Sequence, residues 1–468
     1  MERTRPNICV IGGGFTGAAA AIACLKRIEH AFDLTIVEPS AALGRGAAYG
    51  GHHPLHLLNV RTRDLSILPD RPRDFLNWAF AQIDQGENDP GLLEGLAHSF
   101  LPRELFGSYA RQRLFEAIEN RADVDTRIVN DAAVSCTRRG GQFVIRTENT
   151  ATLCADDVML ATAYGVQNPS ATGALAPYEV VPPERLRTAK SIALIGSGLT
   201  MVDALIGARR DGFSGIATIV SRRGQLPRRH AAKGVVPLEL AVPQSKSVAR
   251  LTAAIRIACE AAEAHGTPWQ AVINGLRPFI QKRWLDLSTQ EQRRFLRHVR
   301  PFWDAHRHRL PSEMHERVLS EFEAGRAVLV RGTVTGVVRE QDRFSLRFRR
   351  RGSPVVETLH ADLAINCSSY KPDLDQPLIQ SLLFQGLARP DEHRLGLLVR
   401  PDGQVIAKDG VATRGLFALG PLCQGTLWEI TSVPEIVRQA DAAAASSLSS
   451  LAAPGSGDGE TVLACAHA

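Results

Sequence analysis

The sequence lacks the features that mark membrane, disulfide-rich and metal-binding proteins. Charge or glycine interrupts every apolar run well before the ~18–20 residues that a membrane-spanning helix needs. The first strand-like run, Ile8–Ile11, begins close to Met1 and leaves no room for a secretory leader. The eight cysteines are scattered, with no Cys-x-x-Cys pair and no close Cys/His set. This spacing argues against a disulfide framework, a zinc module and a redox-active dithiol, so we expect a cytoplasmic protein without a metal centre.

The chain also lacks a strong charge of either sign. It has 468 residues, 55 Lys and Arg against 49 Asp and Glu, and a net charge of +6. A mildly basic balance supports non-specific association and does not define a function. No basic patch interleaved with aromatic residues and no nucleic-acid motif accompanies it. We therefore expect no nucleic-acid or membrane partner. A basic protein that binds nucleic acid is the least favoured alternative.

A glycine-rich turn follows the first strand. Asn7–Ile11 has the pattern of a buried strand, Gly12–Gly17 reads Gly-Gly-Gly-Phe-Thr-Gly, a helix follows, and the next strand ends at Glu38. In such a G-x-G-x-x-G turn the first glycine permits the turn, the second admits a pyrophosphate, and the third lets the helix approach the strand. The helix N-terminus attracts the phosphates, and the acid binds ribose hydroxyls. The alternative is a turn with no ligand. We predict that FAD binds at Gly12, Gly14, Phe15, Thr16, Gly17 and Glu38.

A second, weaker copy of this turn lies near the middle of the chain. Ser191–Ile195 is a predicted strand, and Gly196-Ser197-Gly198-Leu199-Thr200-Met201 opens a helix, with methionine in place of the third glycine. The next strand, Ile216–Val220, is followed by a hydroxyl and two cations instead of an acid, which suits a 2′-phosphate. A solvated turn is the alternative. We predict an NADPH site formed by Gly196, Gly198, Thr200, Ser221, Arg222 and Arg223.

The order of elements after each glycine turn repeats. Three short alternating segments, Ala133–Thr137, Gln142–Arg146 and Thr152–Cys154, lead into the apolar strand 157–163. The same order recurs in Thr335–Val338, Phe344–Phe348, Val355–Leu359 and the strand 362–368. Alternation followed by an apolar run predicts a small β-meander that feeds a buried strand. We predict an α/β protein with two Rossmann-like domains, one for FAD (residues 1–185 and 331–450) and one for NADPH (186–330), each with a meander.

Residues 245–325 interrupt this pattern. They contain four predicted helices, too many for one βα crossover, and form a predicted helical insertion in the NADPH domain. Cations and imidazoles gather in it, and His306, His308 and Arg309 are the candidates for anion recognition or proton transfer. A solvated cationic stretch between two helices is the alternative. Near the end of the chain, Ser432–Glu435 has capping-box spacing before a helix, and residues 451–468 are linker-like and predicted to be disordered.

Several further motifs accompany the glycine turns. They are Leu43-Gly44-Arg45-Gly46, His56-Leu57-Leu58-Asn59-Val60, Pro102-Arg103, Arg300-Pro301-Phe302-Trp303-Asp304, Gly415–Gly420 and Trp428-Glu429-Ile430-Thr431. With these motifs, residues 5–445 resemble the two-dinucleotide-binding flavoproteins. The chain is most similar to the bacterial FAD/NAD(P)-binding family that is often described as flavin-dependent monooxygenases.

This resemblance implies further cofactor contacts and also shows departures. By similarity, Arg45 and Asn59 lie along the FAD, Thr162 lies at the carboxyl edge of the sheet, and Gly420 ends the last FAD-contacting strand. Ala163 stands where these folds have the glycine of an Ala-Thr-Gly motif, and Pro421 stands where they have an aspartate. The Phe-x-Gly-x-x-x-His signature of flavin-containing and Baeyer–Villiger monooxygenases is absent ahead of Gly196.

The predicted function is an oxidoreductase that uses FAD and NADPH. The resemblance favours a monooxygenase that hydroxylates a small molecule, which is anionic if the Arg/His cluster lies at the flavin. Some related flavoproteins hydroxylate amines or oxidised purines. One alternative is a flavin-dependent reductase or dehydrogenase of an organic acceptor; another is a non-catalytic FAD-binding scaffold. The sequence identifies no partner protein.

Overall fold

The computed structural model describes residues 5–40, 42–50, 55–83, 89–149, 151–165, 173–231, 235–239, 244–341, 343–368 and 372–452. The strands are β1 Asn7–Ile11, β2 Asp33–Val37, β3 Asp125–Val129, β4 Ala133–Arg139, β5 Gln142–Thr147, β6 Thr152–Ala155, β7 Asp157–Leu160, β8 Ser191–Ile195, β9 Ile216–Ser221, β10 Ala327–Glu340, β11 Arg343–Arg350, β12 Val356–Ala361, β13 Leu363–Asn366, β14 Gln404–Ile406 and β15 Ala412–Ala418. Of the tail predicted at residues 451–468, the first two residues are the helical end of α15, which corrects the prediction for them, and residues 453–468 lie outside the described residues.

Helices join most of these strands. The α-helices are α1 Phe15–Arg27, α2 Gly46–Tyr49, α3 Asp74–Ile83, α4 Pro90–His98, α5 Arg103–Glu119, α6 Pro183–Thr188, α7 Leu199–Arg210, α8 Val248–Ala264, α9 Trp269–Leu276, α10 Ile280–Asp286, α11 Thr289–Arg294, α12 Arg300–Arg307, α13 Ser312–Glu323, α14 Pro377–Phe384 and α15 Val433–Ala452. A π-helical turn, Phe295–Val299, joins α11 to α12. The predicted helical insertion is therefore confirmed as α8–α13.

The chain forms two compact units. The first comprises residues 1–51, 60–166 and 371–468, and the second comprises residues 52–59 and 167–370. These units differ from the predicted domains, because residues 167–185 and 331–370 belong to the second unit. The sheet explains the difference: β10 pairs in parallel with β9, so the segment after residue 330 continues the predicted NADPH-binding sheet.

The first unit is built on a six-stranded sheet in the order β14-β15-β7-β1-β2-β3. All neighbours pair in parallel except β14, which is antiparallel to β15 at the edge. Strands β1 and β7 are apolar and almost wholly buried, as expected for central strands covered on both faces. The meander β4-β5-β6 forms a separate three-stranded sheet, as predicted. Its buried residues, among them Phe143 and Ile145, share a core with β7 and α14.

The second unit has a six-stranded sheet in the order β12-β11-β10-β9-β8-β13. Its predicted meander is confirmed as the antiparallel ladder β10-β11-β12, which belongs to the same sheet as the parallel strands. Strand β10 begins in the parallel part of the sheet beside β9 and then continues as the first strand of the antiparallel β10–β11–β12 ladder. Phe344, Leu346 and Phe348 of β11 are buried with the core of the parallel strands. One continuous core therefore supports both parts of the sheet.

Candidate dinucleotide sites

The first glycine turn has the tight geometry that its sequence predicts. Gly12 has φ +99°, and a Cβ there would lie 2.6 Å from the carbonyl oxygen of Ala161. Its N–H donates to the Val37 carbonyl at 2.8 Å. A Cβ on Gly17 would lie only 1.8 Å from the Gly12 oxygen. Both positions therefore require glycine, and helix α1 packs directly on the turn that ends β1.

The N-terminus of α1 is open to an anion. Gly14 is its N-cap residue, and no described side chain caps the helix. The first-turn amides therefore have no side-chain acceptor, and they are the donors that a pyrophosphate uses. Phe15 and Thr16 are both buried, and Phe15 packs against Tyr49 and Phe106 with ring centroids 5.6 and 5.5 Å away. These two predicted residues thus offer backbone N–H groups, with their side chains in the interior.

Glu38 is held at the mouth of this turn. One carboxylate oxygen accepts the Gly13 N–H at 2.7 Å, and the other accepts the Ser40 N–H and hydroxyl at 3.1 and 2.6 Å. These three donors orient a half-buried carboxylate at the carboxyl end of β2. The arrangement fits the predicted role of Glu38 as an acceptor for ribose hydroxyls.

The loop before α2 lies against the glycine turn. The Gly44 N–H donates to the Gly13 carbonyl at 2.7 Å, and a Cβ on Gly46 would lie 3.1 Å from the Gly14 Cα. Between them, Arg45 donates from Nη2 to Ser108 Oγ at 3.1 Å. Its Nε is buried without a hydrogen-bond partner in the described part of the chain. A buried guanidinium N–H left without an acceptor fits a site for an anionic ligand.

Thr162, Ala163 and Gly420 lie at the carboxyl edge of the same sheet. The Thr162 carbonyl accepts the Gly165 N–H at 2.8 Å. Ala163 has φ +53°, so it keeps the left-handed conformation for which glycine is suited. Gly420 also has a positive φ, and a Cβ there would lie 2.8 Å from Thr16 Oγ1 on α1. The structure therefore brings Gly420 to the N-terminal turn of α1, as the resemblance implies.

Gln439 of α15 supports Gly420, and sequence analysis missed it. Its side chain is buried, and Oε1 accepts the Gly420 N–H at 2.8 Å while Nε2 donates to the Ala418 carbonyl at 3.2 Å. Pro421, which stands in the place of an aspartate, lies buried in the 3-10 turn Gly420–Cys423. No local sequence signal marks a glutamine that contacts a strand end from a later helix.

The serine half of the predicted capping box of α15 does not form. The helix begins at Val433, but Ser432 Oγ is buried without a hydrogen-bond partner among the described residues. The Glu435 carboxylate accepts a hydrogen bond from Arg438 at 2.8 Å.

Asn59 lies outside the first unit. Residues 52–59 belong to the second unit, where the Asn59 carbonyl lies 3.0 Å from His230 Nε2 and accepts its hydrogen bond. The place of Asn59 along the FAD stays a prediction from the resemblance.

The second glycine turn reproduces the geometry of the first. Gly196 has φ +101°, a Cβ there would lie 2.7 Å from the Cys367 oxygen, and its N–H donates to the Val220 carbonyl at 2.9 Å. Gly198 is the N-cap of α7, no described side chain caps that helix, and a Cβ on it would meet nothing within 4 Å. Thr200 is half-buried in the first helical turn, and Met201 is fully buried in the core.

The three predicted residues at the end of β9, Ser221, Arg222 and Arg223, differ from one another in their contacts. Ser221 Oγ lies 2.8 Å from Ser197 Oγ, and Ser197 donates to the Gln225 carbonyl at 2.6 Å. Arg222 is exposed, and its guanidinium makes no hydrogen bond or ion pair to the described residues. Arg223 makes one long bond, 3.3 Å, to the Arg297 carbonyl. Ser221 is therefore tied to the glycine turn, while Arg222 is available for a phosphate.

The helical insertion brings two of its three candidate residues together. Arg309 is 5% exposed, donates to Asn274 Oδ1 at 2.5 Å, and lies 5.8 Å from the ring centroid of Trp269. The His306 ring packs on the same tryptophan at 5.0 Å, and its Nδ1 donates to the Phe302 carbonyl at 2.7 Å. The interpretation of a solvated stretch is therefore wrong for Arg309, which is buried.

His308 has a different position. It is the half-buried C-cap of α12, and its N–H donates to the Asp304 carbonyl at 2.9 Å. The surroundings of this region are cationic: burial, together with the charges of Arg229 and Arg228, lowers the pKa of His315 on α13. Cationic surroundings favour an anionic ligand.

The described part of the chain offers little for thiol or metal chemistry. Burial raises the pKa of Cys24, Cys136 and Cys423 to about 12, so their thiols stay protonated and weakly nucleophilic. No cluster of His, Cys, Asp and Glu within the described ranges could hold a metal ion. The helices described here include none that is long and apolar enough to cross a membrane.

Comparison with known proteins agrees with this geometry. Residues 9–165 match a family model described as FAD-NAD(P)-binding. No curated protein matches the chain in sequence.

Solved structures match the fold over nearly the whole chain. An ornithine hydroxylase from Pseudomonas aeruginosa has a TM-score of 0.63 at 15% identity, covering 96% of this chain and 100% of that one. A cadaverine monooxygenase of desferrioxamine biosynthesis from Erwinia amylovora, bound to FAD, has a TM-score of 0.62 at 12% identity and covers 100% of both chains. Thioredoxin reductase from Lactococcus lactis has a TM-score of 0.51 at 12% identity, covering 95% and 99%.

These findings confirm the predicted fold and the predicted resemblance. The predicted cofactors and the oxidoreductase class follow from that resemblance. Residues 9–165 match the FAD-NAD(P)-binding family model, and the chain as a whole shares the fold of these solved structures.

Proposed function

We propose that the protein is an FAD-dependent, NADPH-using monooxygenase that hydroxylates an amine nitrogen of a small molecule. The observation that carries the proposal is the presence of two separate glycine turns of matching geometry, at Gly12 and Gly196, in a fold shared along its length with amine hydroxylases. Two such turns on one chain suit an enzyme that binds two dinucleotides.

The first unit would hold FAD. The first-turn amides of α1 and the Nε of Arg45 are donors for its pyrophosphate, and Glu38 is the acceptor for its ribose. When bound, FAD would supply the redox chemistry, with NADPH as the reductant and O₂ as the oxidant. The role of this chain is to bind and orient it. Ala163 keeps a positive φ despite the missing glycine, so the departure from Ala-Thr-Gly leaves the backbone conformation intact.

The second unit would hold NADPH. The open Gly198 and the first-turn amides of α7, including that of Thr200, suit the pyrophosphate. Ser221, Arg222 and Arg223 supply a hydroxyl and two cations where a 2′-phosphate would lie, and no acid replaces them. An acid at this position would repel that phosphate, so we propose NADPH in preference to NADH.

The substrate class follows from two observations. Ornithine and cadaverine, after which the similar hydroxylase and monooxygenase are named, share a terminal primary amine on a flexible carbon chain. In this chain, buried Arg309 beside Trp269, with Arg228 and Arg229 near His315, forms cationic surroundings suited to a carboxylate. We therefore propose a small amine that also carries an anionic group.

A reductase is the second candidate, and the fold shared with thioredoxin reductase favours it. Disulfide reduction is the least suitable reductase activity, since the chain has no Cys-x-x-Cys pair and burial raises the pKa of the Cys24, Cys136 and Cys423 thiols. Reduction of an organic acceptor is the form that remains.

One experiment separates these functions. The visible spectrum of the purified protein is recorded, NADPH or NADH is added without oxygen, and air is readmitted with an amine such as ornithine or cadaverine. We expect bound flavin, faster bleaching by NADPH, and a product that is one oxygen atom heavier than the amine. Bleaching followed by hydrogen peroxide and no oxygenated product would support a reductase or oxidase. A colourless protein that takes up no added FAD would overturn both the monooxygenase and the reductase.

A further inference from the structure

Arg331 lies beside the predicted 2′-phosphate residues, although it is distant from them in sequence. Strand β10 pairs in parallel with β9, and the Cα of Arg331 is the register partner of Ser221, the last residue of β9. The side chain of Arg331 is exposed, and it makes no hydrogen bond or ion pair with the residues that the structure describes. A third cation therefore lies at the carboxyl end of β9, beside the residues Ser221, Arg222 and Arg223.

The turn after β9 positions this side chain. Gly224 has φ +62°, and a Cβ there would lie 2.8 Å from Arg331 Cγ and 3.2 Å from Arg331 Nε. The stem of Arg331 thus packs over the space that the glycine leaves empty. A stem that already packs on the turn loses less conformational entropy when its guanidinium binds a ligand. Arg222 is exposed, and among the described residues no hydrogen bond or ion pair restrains its guanidinium.

We propose that Arg331 is the principal residue that selects NADPH over NADH. Its guanidinium fork would bind the 2′-phosphate in a bidentate manner, next to the hydroxyl of Ser221, which the Ser197 hydroxyl keeps in place. Arg222 and Arg223 add charge around this fixed contact. The inference rests on the proposed function, since it assigns one residue to the phosphate of the proposed cosubstrate.

Arg349 offers a matched control. It is an exposed arginine on β11 of the same sheet, without a side-chain partner among the described residues. It pairs across the ladder with Thr333, two residues from Arg331 on β10. Loss of Arg349 removes the same charge from nearly the same place without touching the turn at Gly224. Gly224→Ala is a second variant, because its Cβ displaces the Arg331 stem and removes no charge.

The test measures the affinity of the FAD-loaded protein for NADP⁺ and NAD⁺ by calorimetry. For Arg331→Ala we expect the Kd of NADP⁺ to rise about 10- to 100-fold, as for loss of a charged hydrogen-bonded pair, with the Kd of NAD⁺ within about twofold of wild type. Gly224→Ala should shift the Kd of NADP⁺ in the same direction, and Arg349→Ala should leave both values unchanged. Melting temperatures verify that the variants fold.

The outcomes separate the two proposals. A wild-type preference for NADP⁺ that Arg331→Ala leaves intact, or an equal loss of both nucleotides in that variant, would overturn the role of Arg331 alone. A wild-type protein that binds neither nucleotide, or prefers NAD⁺, would overturn both the NADPH site and the inference.

Discussion

Gly17→Ala is the substitution that tests the first dinucleotide site most sharply. The added methyl would lie 1.8 Å from the Gly12 oxygen, whereas ordinary contacts begin at 3.4 Å. Helix α1 must therefore withdraw by about 1.5 Å, and overpacking of this kind costs about 1–3 kcal/mol. The same withdrawal moves the first-turn amides of α1 away from the turn. We expect a free energy of unfolding lower by about 2 kcal/mol and a protein that no longer retains FAD.

Gly198→Ala in the second turn is the matched control. Its Cβ would meet nothing within 4 Å, and its φ of −86° suits any residue, so the fold should be unaffected. The methyl would instead occupy the space into which a pyrophosphate comes, so NADPH binding should weaken while FAD content stays at the wild-type level. FAD is measured by absorbance after desalting, and stability by urea unfolding. Full FAD content and unchanged stability in Gly17→Ala would refute the reasoning.

Three further predictions concern other parts of the molecule. Arg309→Ala should raise the KM for the amine substrate about tenfold without changing flavin content, and an unchanged KM would remove Arg309 from the substrate site. Ala163→Gly should raise the free energy of unfolding by up to about 1 kcal/mol in urea titrations, since a left-handed φ is costly for alanine. Burial alone would raise the pKa of Glu321, but hydrogen bonds from Arg326 and Arg209 hold that pKa below its ordinary value of 4.5. This carboxylate therefore stabilises the fold above pH ~4.5 and loses that effect as the pH falls through its lowered pKa. Glu321→Gln should cost about 2 kcal/mol at neutral pH, and the difference from wild type should shrink in acid.

The parts of the site that sequence predicted are those set by local sterics. Gly12, Gly17 and Gly196 are glycine because a Cβ would meet backbone oxygen, and such a requirement leaves a pattern that a single sequence shows. The strand ends at Glu38 and Ser221 follow from the same strand–turn–helix–strand spacing. Four helices of the insertion were also predictable from their apolar periodicity, whereas α10 and α12, which follow Pro278 and contain Pro301, were not predicted.

The parts that sequence could not predict depend on contacts between distant segments. Gln439 supports Gly420, and Arg331 lies beside Ser221, only because a helix and a strand from elsewhere pack at those points. The continuity of β10 from the parallel sheet into the meander likewise depends on its pairing with β9. Ser432 shows the opposite error, since the capping-box spacing is present but its Oγ has no hydrogen-bond partner among the described residues.

The most direct test of the proposed monooxygenase follows the oxygen atom. FAD-loaded protein is supplied with NADPH, an amine substrate and ¹⁸O₂, and the product is analysed by mass spectrometry alongside NADPH consumption. The account predicts one labelled oxygen on the amine nitrogen for each NADPH consumed once the substrate is matched. NADPH oxidation that yields labelled hydrogen peroxide and leaves every amine unlabelled would contradict it.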